Sequence, residues 1–163
     1  MGSACLEYLE HPKTSICGMA RKVLLLKERL LALGVVADDL CYLCGRESET
    51  FEHIFQNCQY SCRLLDLLAQ MGNFVLPHTD LILWIGQLQC TKLRKGILLC
   101  LVQSIFYQIW MQRNKARIEG CVHRPEIVFQ LILKEVKVWV RSKLSPYVDR
   151  RDKDWLNRLH LCM

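Results

Sequence analysis

Proline is scarce in this sequence, and no low-complexity tract interrupts it. Only four of the 163 residues are proline, whereas 52% are hydrophobic and 9% are aromatic. This composition excludes a disordered chain, because burial of so much apolar surface can offset the conformational entropy that folding removes. The length suits one domain of ordinary size, so residues 1–163 are expected to form a single domain.

Segments that direct secretion or span a membrane are also missing. The first residues, MGSACLEYLEHPK, contain no basic segment followed by an apolar run, which predicts an intracellular protein of the nucleus or cytoplasm that is not secreted. The longest apolar stretch, Gly96 to Met111, has 16 residues and includes three polar ones, Gln103, Ser104 and Gln108. It predicts a buried helix and no membrane partner.

Catalytic motifs are equally hard to find. The sequence contains no glycine-rich phosphate loop, no nucleophile elbow and no paired carboxylates on a predicted helix. Cys44 and His53 could act as a nucleophile and a base, but their spacing is explained better by metal binding. An enzyme is therefore the weakest of three functional hypotheses, and no small-molecule substrate is expected.

Cysteine, in contrast, is abundant, with ten residues. In a reducing compartment, closely spaced cysteines indicate metal ligands before they indicate disulfides. Cys41 and Cys44 form a C-x2-C pair followed by Gly45, which relieves the backbone of a tight turn, and His53 and Cys58 form an H-x4-C pair. These four ligands are a closed set, which predicts one structural Zn²⁺ ion. Buried cysteines beside a surface histidine remain the alternative interpretation.

The other cysteines and histidines lack paired spacing. Cys100 lies in an apolar run and is expected in the core. Cys62 is near enough to be a spare ligand, but it would compete with the set of four. His11, His78, His123 and His160 are expected at the surface.

Helical spacing predicts a mainly α fold, a small helical domain in which a zinc-stapled loop separates the first helices. A zinc-binding subregion is expected at 12–72, a helical subregion at 79–146 and a charged tail at 147–163. Gly34 and Gly120 are the expected helix ends, Thr79 or Asp80 a helix cap and Ser145-Pro146 a helix stop. The predicted helices cover residues 20–33, 61–71, 81–88, 91–119 and 126–144, and the expected core face of the last carries Val128, Leu131, Ile132, Trp139 and Val140.

Charge is divided unevenly along the chain. Residues 1–80 contain seven Lys/Arg against ten Asp/Glu, a net charge of −3, and residues 81–163 contain fifteen against six, a net charge of +9. A basic C-terminal half suits a polyanionic partner, although such charge also maintains solubility.

Several short motifs occur in a recognisable order. They are KERLLALGV at 27–35, D-x-C-x2-C-G at 39–45, E-T-x2-H-I-F-x2-C at 49–58, Tyr60-Ser61, and I-W-x2-R-N at 109–114. Together they resemble the zinc-binding domain at the C-terminal end of plant LINE-type (non-LTR) retrotransposon reverse transcriptases, over about residues 12–144. Nothing in the chain resembles a polymerase palm or an endonuclease. The resemblance implies an accessory domain that helps to bind template RNA or target DNA.

The zinc loop is a poor candidate for phosphate contacts. Three thiolates around Zn²⁺ give a net charge of −1, and the loop is acidic. The expected contacts lie instead on the later helices, at Lys92, Arg94, Lys95, Arg113, Lys115, Arg117, Lys137, Arg141 and Lys143. A solvated helix end explains each cluster equally well, and a protein-interaction or purely structural domain without nucleic-acid affinity remains the second hypothesis.

Overall fold

The computed structural model describes residues 24–77, 81–143 and 148–161. Within these ranges the chain is mainly helical, with no strand and one isolated antiparallel bridge between Leu40 and Ser48. The predicted mainly α fold, with a Cys/His loop after the first helix, is confirmed. The helices are α1 (Lys27–Ala32), a π-helical turn (His53–Asn57), α2 (Gln59–Gly72), α3 (Leu81–Gln87), α4 (Lys92–Glu119), α5 (Pro125–Lys143) and α6 (Arg150–Arg158).

Helix α1 is shorter than the predicted helix over 20–33. Residues 20–23 lie outside the described ranges, and residues 24–26 are not helical. Leu26 is extended, with φ −76° and ψ 160°, and the backbone N–H of Lys27 donates to the Glu49 carboxylate instead of to a preceding carbonyl. The helix therefore begins at Lys27. Gly34, with φ 69°, follows its last turn as predicted.

Helix α4 is the long, largely buried helix that the sequence predicts. The Thr91 side chain caps its start by accepting a hydrogen bond from the Arg94 N–H, and Gly120 ends it in a left-handed conformation with φ 68°. Its buried residues lie on more than one side of the helix. One row of them, with a residue every four positions, consists of Ile97, Leu101, Ile105 and Ile109. Cys100 is buried among them, as predicted.

Helix α5 packs against α4 and α2. Val128, Ile132, Val136 and Val140 recur every four residues and are fully or almost fully buried. The prediction for Leu131 is wrong, because it points to solvent and is 44% exposed. Trp139 is half-buried against the core.

Two further elements pack against α4. Helix α3 contacts it directly, and the π-helical turn contacts both α4 and α2. The Phe55 ring of this turn meets Phe106 of α4 edge-on, with ring centroids 5.5 Å apart. Residues 79–80 and 145–146, where a cap and a stop were predicted, lie outside the described ranges. Within those ranges, no helix combines the length and apolar character needed to cross a membrane.

Candidate metal centre and basic residues

The first two predicted ligands lie on a tight knuckle held by backbone hydrogen bonds. The Gly45 N–H donates to the Cys41 carbonyl at 2.7 Å, and the Cys41 N–H donates to the Glu47 carbonyl at 2.8 Å. The Leu43 N–H points at the Cys41 sulfur at 3.4 Å. Gly45 has φ 65°, a left-handed conformation that glycine adopts without strain, as the sequence predicts.

The second pair of ligands flanks the π-helical turn. The Cys58 N–H donates to the His53 carbonyl at 2.6 Å, five residues back along the chain, and the His53 N–H donates to the Thr50 hydroxyl at 3.0 Å. This i to i+5 bond is what defines a π-helical turn, a feature often found at functional sites. It places His53 and Cys58 on the same side, while Ile54 and Phe55 between them enter the core.

The four predicted ligand atoms converge to within 4.8 Å of one another. Cys41 Sγ lies 4.0 Å from Cys58 Sγ, and Cys44 Sγ lies 3.3 Å from His53 Nε2. Zn–S bonds of about 2.3 Å and Zn–N bonds of about 2.0–2.1 Å in a tetrahedron separate two sulfurs by about 3.8 Å and a sulfur from a nitrogen by about 3.6 Å. The cluster therefore fits one structural zinc ion, and the described residues contain no second group of this kind.

The hydrogen bond between the two innermost thiols shifts their pKa values in opposite directions, whereas burial raises the pKa of both. The hydrogen bond to the Cys58 sulfur raises the pKa of the Cys41 thiol, and burial raises it further. The same hydrogen bond lowers the pKa of the Cys58 thiol. Both residues are almost completely enclosed, at 1% and 0% exposure. A zinc ion would neutralise thiolates that this enclosed position otherwise disfavours.

The His53 ring is oriented as a zinc ligand requires. Its Nε2 faces the cysteine sulfurs, and its buried Nδ1 lies 3.2 Å from the Glu47 carboxylate, without the alignment of a hydrogen bond. Metal-binding histidines commonly donate their other ring N–H to a carboxylate, which fixes the tautomer. Glu47 is thus placed to orient the ligand, and neither nitrogen points into the apolar core.

A buried ion pair lies beside the zinc knuckle. Arg113 of α4 and Glu49 are 1% and 0% exposed, and the Arg113 Nη2 and Nε atoms lie 2.6 and 3.0 Å from Glu49 Oε1. Glu49 also accepts from the backbone N–H groups of Lys27 and Tyr42, at 2.9 and 3.2 Å. Arg113 donates in addition to the Leu25 carbonyl at 2.9 Å. One ion pair therefore joins α1, the zinc knuckle and α4.

Aromatic rings enclose this ion pair. The Arg113 guanidinium lies 5.0 Å from the centroid of Trp110 and 5.2 Å from that of Tyr42. Lys27 lies over the same Tyr42 ring at 4.3 Å and pairs with Asp38 at 2.5 Å. The guanidinium and ammonium groups are both stabilised by electrostatic attraction to the negative faces of these rings.

Arg113, one of the predicted nucleic-acid contacts, is not accessible in the structure. Its side chain is buried, and Glu49 and Leu25 occupy its donors. Arg94 and Lys95 are also engaged internally. Arg94 pairs with Asp152 of α6 at 2.6 Å, and the Lys95 ammonium donates to the Gly86 carbonyl at 2.6 Å.

The other predicted cations are more accessible. Lys92, Arg117 and Arg141 are exposed and Lys137 is half-buried. Lys115 lies 3.2 Å from the His123 ring and 3.7 Å from Glu119. Nothing is described of the Lys143 side chain.

Sequence reasoning gave two sets of residues too little weight. Glu49 was not predicted to have a partner, because no local pattern links it to Arg113, 64 residues away. The cations of α6 were assigned to a charged tail. Arg150, Arg151, Lys153 and Arg158 are all exposed on that helix.

Comparison with known proteins identifies the zinc-binding part of the chain. No curated protein and no solved structure gives a significant match. Residues 11–64, about a third of the chain, match the model of the family described as zinc-binding in reverse transcriptase. All four ligands lie within the matched segment. This segment is therefore similar to the zinc-binding region of reverse transcriptases, and the family match and the Cys3His geometry agree on one structural zinc site.

Proposed function

We propose that this protein is a non-catalytic, zinc-stabilised module that binds RNA or DNA through the cations of its helical half. The observation that carries the proposal is the combination of a reverse-transcriptase zinc-binding segment with a basic second half. Lys92, Arg117, Lys137 and Arg141 supply the phosphate contacts. Arg94 and Arg113 contribute indirectly, by holding helices in place.

The zinc ion acts as a scaffold in this proposal. Three cysteines and one histidine complete a tetrahedron, so no coordination position remains for a substrate or an activated water. The exposed residues of the loop include Asp38, Glu47 and Glu52, which repel phosphate. Recognition therefore belongs to the helices that follow the zinc site.

The order of the motifs supports a finer assignment. Glu49 and Arg113 belong to different motifs and lie 64 residues apart in sequence, but they meet in one buried ion pair. The two motifs thus belong to one folded unit, as expected for an accessory domain of a LINE-type retrotransposon reverse transcriptase from a plant.

A salt titration tests the proposed function. Binding of fluorescently labelled single-stranded RNA and DNA of equal length is measured by anisotropy from 20 mM to 300 mM salt, with zinc content verified. For single strands the logarithm of the affinity falls with the logarithm of the salt concentration with a slope of about −0.7 per phosphate contact. Replacing Lys92, Arg117, Lys137 and Arg141 by Gln should reduce the magnitude of the slope by about 3. Absence of binding by the zinc-loaded wild type at 20 mM salt would reject the proposal.

One observation favours a second candidate, a protein-interaction module. Ile127, Leu131 and Val138 of α5 are 51%, 44% and 55% exposed. With 3.6 residues per turn they lie within about 40° of one another around the helix. An apolar stripe of this kind is common at protein interfaces. Absence of RNA and DNA binding by the zinc-loaded wild type at low salt would favour this candidate.

A further inference from the structure

Helix α6 is fixed to the start of α4 by one arginine. The Arg94 Nε donates to Asp152 Oδ1 at 2.6 Å, and its Nη2 donates to the Arg151 carbonyl at 2.8 Å. The same guanidinium lies 5.4 Å from the centroid of the Trp155 ring. The Asp152 side chain is only 7% exposed, so this is a largely enclosed ion pair.

Apolar residues complete the attachment. Leu156, Leu159 and Leu161 are at most 2% exposed and belong to the main core. Asp152, Leu156 and Leu159 fall on one side of α6 at helical spacing. The opposite side of the helix therefore faces solvent in a defined orientation.

That opposite side is rich in cations. Arg150, Arg151, Lys153 and Arg158 are exposed, and within the described residues none of the four forms an ion pair. The acidic residues of the helix do not balance them. Asp152 is paired with Arg94, and Asp149 caps the helix by accepting from the Arg151 N–H, which leaves Asp154 alone among four cations.

We propose that the outward face of α6 is a docking surface for the phosphate backbone of a nucleic acid, and that the Arg94–Asp152 ion pair holds this surface in position. The proposal rests on the proposed function and extends it to a helix outside the family match. Because the helix is already held in place, its backbone need not become ordered when the cations meet phosphates.

Neutralising the face is the direct test. The triple substitution Arg150→Gln, Lys153→Gln and Arg158→Gln leaves the attachment intact. Its control removes three exposed cations elsewhere, by Arg46→Gln, Arg124→Gln and Lys134→Gln, so the net charge is the same. RNA and DNA binding is measured as a function of salt, with zinc content and melting temperature checked for both variants.

The two variants should behave differently. The α6 variant should lose about 2 units from the magnitude of the salt slope for a single strand, which corresponds to three phosphate contacts. The control should retain the wild-type slope. If the wild type binds but the α6 variant binds as tightly and with the same slope, the α6 surface is refuted while the proposed function stands. If the wild type does not bind at low salt, both are refuted.

A further substitution tests the role of the ion pair. Asp152→Ala makes the protein more positive and leaves all four exposed cations in place. If the ion pair positions the surface, the Asp152→Ala variant should bind RNA and DNA more weakly than the wild type, because α6 loses its fixed orientation. Unchanged or tighter binding by a protein with wild-type zinc content would show that only net charge matters and would contradict the positioning role.

Discussion

At the scale of single residues, the main electrostatic interaction beside the zinc site is a buried ion pair. Arg113 and Glu49 lie between α1, the zinc knuckle and α4, where the Glu49 carboxylate accepts two side-chain and two backbone hydrogen bonds. A buried ion pair is costly to desolvate, but removing one partner leaves the other unpaired, which typically costs about 3–5 kcal/mol.

Arg113→Gln should therefore lower the free energy of unfolding by about 3–5 kcal/mol. Arg117→Gln removes the same charge from the exposed side of the same helix and should change it by less than about 0.5 kcal/mol. Chemical denaturation of the zinc-loaded proteins measures both. Equal stabilities of the two variants would show that the buried pair does not hold the elements together.

Glu47 should tune the zinc site without binding the metal. Its carboxylate lies 3.2 Å from His53 Nδ1, and loss of such a partner typically weakens metal affinity about 10–100-fold. Glu47→Gln is expected to show this loss in competition with a chelator. Glu28→Gln, an exposed change of equal charge on α1, should keep the wild-type affinity, and a Glu47→Gln variant that also keeps it would contradict the orienting role.

The sequence predicted the four ligands because their spacing alone identifies them. It could not predict that Arg113 is buried, because a cation near the end of a long helix has the same local pattern whether it faces solvent or a carboxylate 64 residues away. Pairing across such a separation is a tertiary property.

At the scale of whole elements, two glycines have opposite roles on α4. Gly120 ends the helix with φ 68°, whereas Gly96 lies inside the helix, where an added Cβ would have no atom within 4 Å. Gly120→Ala should destabilise the protein by roughly 1–2 kcal/mol, because a side chain disfavours the left-handed conformation. Gly96→Ala should stabilise it by roughly 0.5–1 kcal/mol.

Thermal unfolding of the two variants distinguishes these effects, since the substitution is the same and only the backbone conformation differs. A rise in melting temperature for Gly120→Ala, or a fall for Gly96→Ala, would contradict the assigned ends of α4.

Helix ends were predictable where a local residue sets them. Thr91, Gly34 and Gly120 act through their own side chain or conformation, and the predicted boundaries lie close to them. The start of α1 was not predictable, since it depends on the Glu49 carboxylate that receives the Lys27 N–H. Leu131 matched a helical apolar pattern but lies just outside the buried stripe of α5.

At the scale of the whole molecule, the acidic metal-binding segment and the basic helices are separate parts of the chain. The acidic zinc loop lies in the first half of the chain, and most of the exposed cations among the described residues lie on α4, α5 and α6. This division explains why a net charge of +6 coexists with an acidic metal-binding segment. Structural zinc in small domains contributes on the order of 10 kcal/mol of apparent binding free energy, so the loop is expected to depend on it.

Zinc stoichiometry tests the central claim most directly. Metal analysis after dialysis against a weak chelator is carried out on the wild type, Cys44→Ser and Cys62→Ser. Cys62 is the matched control, because its sulfur contacts the Gln56 carbonyl and lies outside the ligand cluster. The wild type and Cys62→Ser should retain one zinc ion per chain, and Cys44→Ser should lose most of it. A wild type without stoichiometric zinc, or a Cys44→Ser variant that retains as much as Cys62→Ser, would contradict the assigned site.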